Sequence, residues 1–200
     1  PDQIGPERVQ LTGVRAMRLN TRDQVVSMSM LQGAGDVSAE ERAAYLRRAA
    51  QLRRQEEGEP EAELEEPEAS VVELSEARFR ELSEREEFIL SVTANGYGKR
   101  TSAYEYRVSG RGGMGVVGII TGERNGPVVS CLPIDEEDQL LLMTDQAKII
   151  RCGVRDIRIA GRATQGVKLF DVDPSEQVVS AVRIDGAMIR AAEAQSEPTA

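Results

Sequence analysis

A chain that superimposes on itself has few folds open to it. Residues 88–117 lie over residues 139–168 without a gap, at an offset of 51. The overlay pairs Thr93 with Thr144, Arg100 with Arg151, Arg107 with Arg158, Gly110 with Gly161, Arg111 with Arg162 and Gly115-Val116 with Gly166-Val167. A third, partial copy comes earlier: Gly13-Val14 leads to Gln24-Val25-Val26-Ser27 at the spacing that separates Gly166-Val167 from Gln177-Val178-Val179-Ser180. Self-similarity at this period marks stacked structural units, each too small to bury its apolar faces alone.

Within the unit the period is that of strands. "FILSVT" (88–93) alternates Phe88, Leu90 and Val92 against Ile89, Ser91 and Thr93, and Asn95-Gly96 supplies a tight turn. Asn125-Gly126 supplies another, between "VVGIIT" and "PVVS". "QLLLMT", "AKIIR", "KLFDV" and "EQVVSAVRI" follow, punctuated by Asp145-Gln146 and Asp173-Pro174. About four short strands per unit, with no helix between them, describe a propeller blade rather than a βαβ unit. The expected fold is all-β, a partial ring of four-stranded, propeller-like blades.

Residues 37–86 break the pattern. Ser38 with Glu41 makes a capping box ahead of "AAYLRRAAQLRR", and Ser75 can cap a second short helix running toward Glu87. Between them, residues 56–70 are acidic and proline-containing with almost no core formers, a composition expected to be unordered. The organisation is therefore 1–36, the end of one blade; 37–86, an acidic helical and disordered insert; 87–137 and 138–190, two blades; and 191–200, a disordered tail.

The formal net charge of -9 is unevenly spread. Residues 37–86 carry 15 acidic and 8 basic side chains, whereas residues 88–170 carry 11 basic and 8 acidic. The acidity belongs to the insert and tail; the strand-rich region is mildly basic. There is no histidine, which removes the commonest general base and any imidazole metal ligand. Cys131 and Cys152 sit singly in apolar runs and read as buried reduced thiols. No stretch approaches a membrane span or a secretory leader, so a cytoplasmic protein is expected. The chain begins at Pro1 rather than Met and reads as a fragment of something longer.

Gly110, Gly112 and Gly115 spell G-x-G-x-x-G, a dinucleotide fingerprint where a strand precedes and a helix follows. A β-branched run, Val116 to Ile120, follows here instead, so the glycines read as shaping a bend. Gly110 and Gly115 recur, while Gly112 and Gly113 become Ala163 and Thr164, suggesting looser demands at the loop tip. Gly98-Lys99 lacks the spaced glycine and following hydroxyl of a phosphate-binding P-loop. "DEED" (135–138) reads as a solvated turn rather than a metal site.

The recurring arginines carry the chemistry. Arg100, Arg107 and Arg111 return as Arg151, Arg158 and Arg162, with Lys99, Lys148, Arg155 and Lys168 nearby. Stacked units would align them into a basic stripe suited to a phosphate backbone. The alternative is that each pairs with a neighbouring acid such as Glu105 or Asp156 on a solvated face.

"EEFILSVTANGYGKRTSAYEYRVSGRGGMGVVGIITGERNGPVV" resembles the C-terminal domain of DNA gyrase A, and "GRATQGVKLFDVDPSEQVVSAVRI" and "GVRAMRLNTRDQVVSMSML" resemble that family's blade endings. The resemblance covers residues 13–31 and 87–185. It implies a β-pinwheel, a six-bladed ring in the intact domain, whose basic rim wraps DNA and supports ATP-dependent negative supercoiling. On matching positions it implies DNA contacts at Lys99, Arg100, Arg107, Arg111, Lys148, Arg151, Arg158 and Arg162, and more weakly at Arg15 and Lys168. It implies double-stranded DNA as partner, with the remainder of gyrase A and with gyrase B in a heterotetramer. No cofactor is implied in this piece; ATP and magnesium act elsewhere in the parent complex.

The family's box of the form Q-R-R-G-G-[RK]-G has only a degenerate echo in Arg111-Gly112-Gly113-Met114-Gly115. Its DNA-cleaving tyrosine follows an arginine, whereas Tyr45, Tyr97, Tyr104 and Tyr106 do not, so no catalytic residue is expected. Two other readings stay open: the C-terminal domain of the related decatenating enzyme, topoisomerase IV, and a protein-interaction propeller. The acidic insert could compete with DNA for the rim or serve only as a solubilising linker.

Overall fold

The computed structural model describes residues 13–32, 35–57 and 72–196. Two helices come first, α1 (Ala39–Glu57) and α2 (Glu76–Glu84). The strands β1 (Phe88–Thr93), β2 (Tyr97–Ser102), β3 (Val128–Ile134), β4 (Gln139–Thr144), β5 (Ile149–Gly153), β6 (Val167–Lys168) and β7 (Val178–Ile184) follow, and α3 (Gly186–Ser196) ends the described chain. All paired strands are antiparallel, in one sheet ordered β3-β1-β2-β6 and another ordered β5-β4-β7.

The repeat is visible residue by residue. β1 meets β3 from Phe88↔Ile134 to Thr93↔Val128, and β4 meets β7 from Gln139↔Ile184 to Thr144↔Val178. Each ladder shifts register one step before its end, between Val92 and Thr93 and between Met143 and Thr144, so even the bulge repeats. The first sheet is not built from one contiguous stretch, however. Its fourth strand, β6, comes from the second unit and pairs with β2 at Tyr97↔Lys168 and Gly98↔Val167.

The sheets face each other across one core. The first contributes Leu90, Val92 and Ile134, and the second Leu140, Leu142 and Val178, with Val154 and Ile157 from the connection after β5. Leu90 and Leu140 are not repeat equivalents: the units bury opposite faces, as consecutive blades in a stack must.

The insert is folded onto the first unit. Ser38 Oγ accepts the Glu41 amide at 3.1 Å while the Glu41 carboxylate accepts the Ser38 amide at 3.1 Å, closing the expected capping box at the start of α1. Ser75 caps α2 by accepting the Arg78 amide at 3.2 Å. A second core joins Val37, Tyr45, Ala49 and Leu82 to Tyr104, which lies in the 3-10 turn after β2. Tyr45 packs against Phe79 and edge-on to Tyr104, and the Tyr104 hydroxyl donates to Leu82 O at 3.0 Å.

Three expectations need correction. "VVGIIT" forms no ladder, although its copy Val167–Lys168 is a strand; β-branched composition makes a strand only where an edge receives it, and Val116-Val117 find none among the described residues. For the same reason residues 24–30 are exposed and unpaired, where β3 and β7 lie on β1 and β4. The tail, expected to be unordered from 191, is helical as far as Ser196 in α3; Asp185 accepts the Ala187 amide at 2.7 Å at its start, and an alanine-rich sequence carries it on. Of the acidic stretch 56–70, Glu56 and Glu57 close α1, and the remainder falls outside the described residues.

Candidate nucleic-acid interface

The second strand of each β-hairpin and the loop after it position most of the basic residues. Lys99 and Arg100 leave β2 next to the connection after β5, residues 154–164. Lys99 is fully buried, and its ammonium donates to Gly161 O at 2.5 Å, Arg162 O at 2.8 Å and Thr164 Oγ1 at 3.1 Å. Burial pushes its pKa down to about 8, with the Arg162 charge adding to the fall and Glu105 opposing it. Arg100 is 6% exposed. Its guanidinium donates to Ile157 O at 2.5 Å, Arg155 O at 3.2 Å and Glu136 at 3.3 Å, while its backbone pairs with Arg158 and Ala160. These two cations fasten the second unit's connection to the first unit's β2.

The other positions are more open. Arg107, Arg111, Arg151 and Arg158 are exposed, and Arg151 Nε donates to Gln139. Arg162 is 32% exposed, donates to Val117 O at 2.9 Å and lies 3.8 Å from Glu105. Exposed Arg15 sits beside the loop of Arg111, where Gly112 N donates to Ala16 O at 2.7 Å and Arg18 N to Gly113 O at 2.8 Å. Lys148 is held by Asp173 at 2.7 Å and Glu176 at 2.6 Å, and these carboxylates raise its pKa. Lys168 pairs with Asp171 at 2.7 Å. The structure thus divides the ten positions into two buried fasteners, three engaged with nearby acids and five exposed arginines.

Gly115 and Gly166 have positive φ, +75° and +78°, and bend the chain as their recurrence suggested, whereas the other recurring pair, Gly110 and Gly161, does not take positive φ. Gly112 also has a positive φ, so the loop tip is more demanding than its loss of recurrence implied. The "DEED" turn is only partly solvated. Asp138 is buried, accepting the Asp135 amide at 2.7 Å and the Gly186 amide at 3.0 Å, and lies 3.4 Å from Arg183. Among the described residues no cluster of three acidic or cysteine ligands could hold a metal. Cys131 and Cys152 are free and half-buried, their thiol pKa values raised by that burial. Among the described residues no helix is long and apolar enough to cross a membrane.

One feature is not foreseeable from the sequence. A groove of about 820 Å³ runs between α1 and residues 155–161, lined by Arg53, Arg54, Arg100, Arg155 and Arg158. Two of these come from the insert, whose overall acidity conceals them.

The model of the DNA gyrase C-terminal domain, a beta-propeller, matches residues 12–32, 87–135 and 138–185, skipping α1 and α2. The chain is 46% identical over 178 residues to the DNA gyrase A protein of Granulibacter bethesdensis, covering 84% of the chain and 19% of that protein. It is 43% identical over 169 residues to the DNA gyrase A protein of Rickettsia bellii, covering 84% and 18%. It therefore spans about a fifth of the length of these relatives. A solved DNA gyrase A C-terminal domain aligns with 49% of the chain and 33% of its own at 25% identity and a TM-score of 0.47. With more than half its residues matched by that model, the chain belongs to the family of DNA gyrase C-terminal, beta-propeller domains.

Proposed function

We propose that the chain is a DNA-binding and DNA-wrapping module of a bacterial type II topoisomerase, DNA gyrase. It would support ATP-dependent negative supercoiling from the cytoplasm, with ATP and magnesium acting elsewhere in an assembly that holds the rest of gyrase A together with gyrase B. What supports this most is that Arg107 and Arg111 are exposed in a member of this family and recur one unit later as Arg158 and Arg162. Arginines repeating on a stacked scaffold suit the regular charge of a duplex backbone, and contacts to phosphate carry little sequence information. Lys99 and Arg100 support the interface indirectly, by holding the connection that presents Arg158 and Arg162. Lys148 and Lys168, already neutralised by acids, are the weaker contacts.

Titration of the chain with duplex DNA at rising salt tests the reading. Binding should weaken linearly in log[salt], with a slope of about -0.9 per phosphate neutralised. Arg107→Glu with Arg111→Glu should remove most of it. Salt-insensitive binding, or none at low salt, would sink the proposal.

A further inference from the structure

We propose that the groove between α1 and residues 155–161 is a second contact for the phosphate backbone of duplex DNA, assembled jointly by the insert and the blade. The inference rests on the DNA-binding reading above and extends it to residues outside the matched blades. Arg53 and Arg54 enter from α1, and Arg155 and Arg158 from the connection opposite. The helix is fixed in place: Tyr45 and Ala49 are buried in the core with Leu82 and Tyr104, and Arg42 donates to Tyr106 O at 3.5 Å. Arg54 is therefore presented from a rigid element at a set distance from the blade, which limits the entropy lost on binding.

Charge accounting favours an anion. Half of the eight arginines of this insert are neutralised by acids of the same region: Arg48 by Glu76, Arg53 by Glu86 at 2.7 Å, Arg78 by Glu41 at 2.9 Å and Arg85 by Asp36 at 2.7 Å. Among the described residues neither Arg54 nor Arg155 has an ion pair or side-chain hydrogen bond, although both line the groove. Of the three carboxylates in the wall, Glu136 is turned to Arg100 at 3.3 Å, and Glu105 accepts the Arg162 amide at 2.8 Å. Among the described residues of the wall, Asp156 is then the carboxylate left to oppose two open guanidiniums. Guanidinium forks suit phosphate oxygens, and the open groove admits a stretch of backbone rather than enclosing a small ligand.

The test uses the full chain, a short mixed-sequence duplex and three double variants: Arg54→Gln with Arg155→Gln in the groove, Arg54→Lys with Arg155→Lys as its charge-conserving counterpart, and Arg107→Gln with Arg111→Gln on the blade loops. Arg155→Gln keeps the backbone carbonyl that receives Arg100, and thermal unfolding checks that each variant folds. The glutamine groove variant should bind roughly ten-fold more weakly at low salt, with a log K against log[salt] slope shallower by about 2. The lysine variant should recover most of the slope. If the parent and the loop variant behave as a DNA-binding surface predicts while the glutamine groove variant matches the parent, the groove assignment is wrong and the DNA reading stands. If the parent binds no duplex at low salt, both fall.

Discussion

The β1–β2 and β4–β5 hairpins are copies that differ in one respect: a later unit packs on the first, and among the described residues none packs on the second. Arg100 faces Leu90 across its hairpin, and Arg151 faces Leu141 at the same register. Yet Arg100 is 6% exposed and bound to three carbonyl or carboxylate oxygens, while Arg151 is open to solvent. The difference lies in residues 154–168, which lay a connection over β2 and add β6 to its edge; the edge of β5 carries no such strand among the described residues. The faces differ likewise. The inner face of the first unit is sealed by Leu140 and Leu142, whereas Met143, Ile149, Val179 and Val182 leave an apolar patch on the second. In this repeat a residue's role is set by its neighbour in the stack as much as by its own unit.

Lys99 offers the strongest way to break the comparison. Lys99→Ala removes the ammonium that donates to Gly161 O, Arg162 O and both oxygens of Thr164, and opens a cavity, so it should cost roughly 3–4 kcal/mol in urea unfolding. Its copy Ile150, half-buried and apolar, should cost about half as much when cut to alanine. Equal losses would mean that the ammonium does not fasten the units. Next comes the arginine pair. Arg100→Ala should lose about 2–3 kcal/mol by orphaning Ile157 O and Arg155 O, and Arg151→Ala should stay within about 0.5 kcal/mol.

These same residues show what a sequence can and cannot disclose here. The offset of 51 predicted the two matching ladders, and Ser38 with Glu41 predicted the start of α1, because both depend on local spacing. Arg100 and Arg151 are indistinguishable in sequence, and Lys99 resembles any surface lysine, because their burial depends on segments 55–65 residues away. A two-residue strand such as β6 carries too little periodicity to announce itself. The arginine groove was hidden for a different reason: net charge over the whole insert averages away the side of α1 that faces the blade.

A smaller effect sharpens the same contrast through glycine. Gly166 and Gly115 share a positive φ, but a Cβ on Gly166 would sit 2.7 Å from Gly98 O, where β6 lies on β2, while one on Gly115 would meet nothing within 4 Å. Gly166→Ala should therefore cost about 2–3 kcal/mol, from steric conflict added to backbone strain, and Gly115→Ala about 1 kcal/mol from strain alone. Thermal unfolding of the two variants measures the difference, and equal shifts would show that the β6 contact contributes nothing.

The subtlest expectation concerns pH. Lys99 titrates at about 8 in the folded chain against 10.5 when unfolded. Between those values the unfolded state holds a proton that the folded state has released, so unfolding takes up a proton and this group raises stability as pH rises. Below about 8 both states are protonated and its slope vanishes; its full contribution is present only above 10.5 and is lost as pH falls through 8. The half-buried thiols Cys131 and Cys152 act in the opposite sense, since their folded pKa values are raised and their unfolded forms ionise first. Tyr106, pushed up to about 12 by burial, opposes Lys99 as well. The total slope can therefore take either sign, but the difference between the parent and Lys99→Met isolates the lysine, because the other groups remain in both. That difference should change with pH only between about 8 and 10.5, with the parent gaining relative to the variant. A difference flat across that window would mean that the carbonyls of Gly161 and Arg162 hold the ammonium charged, and that the fastener between the units is insensitive to pH.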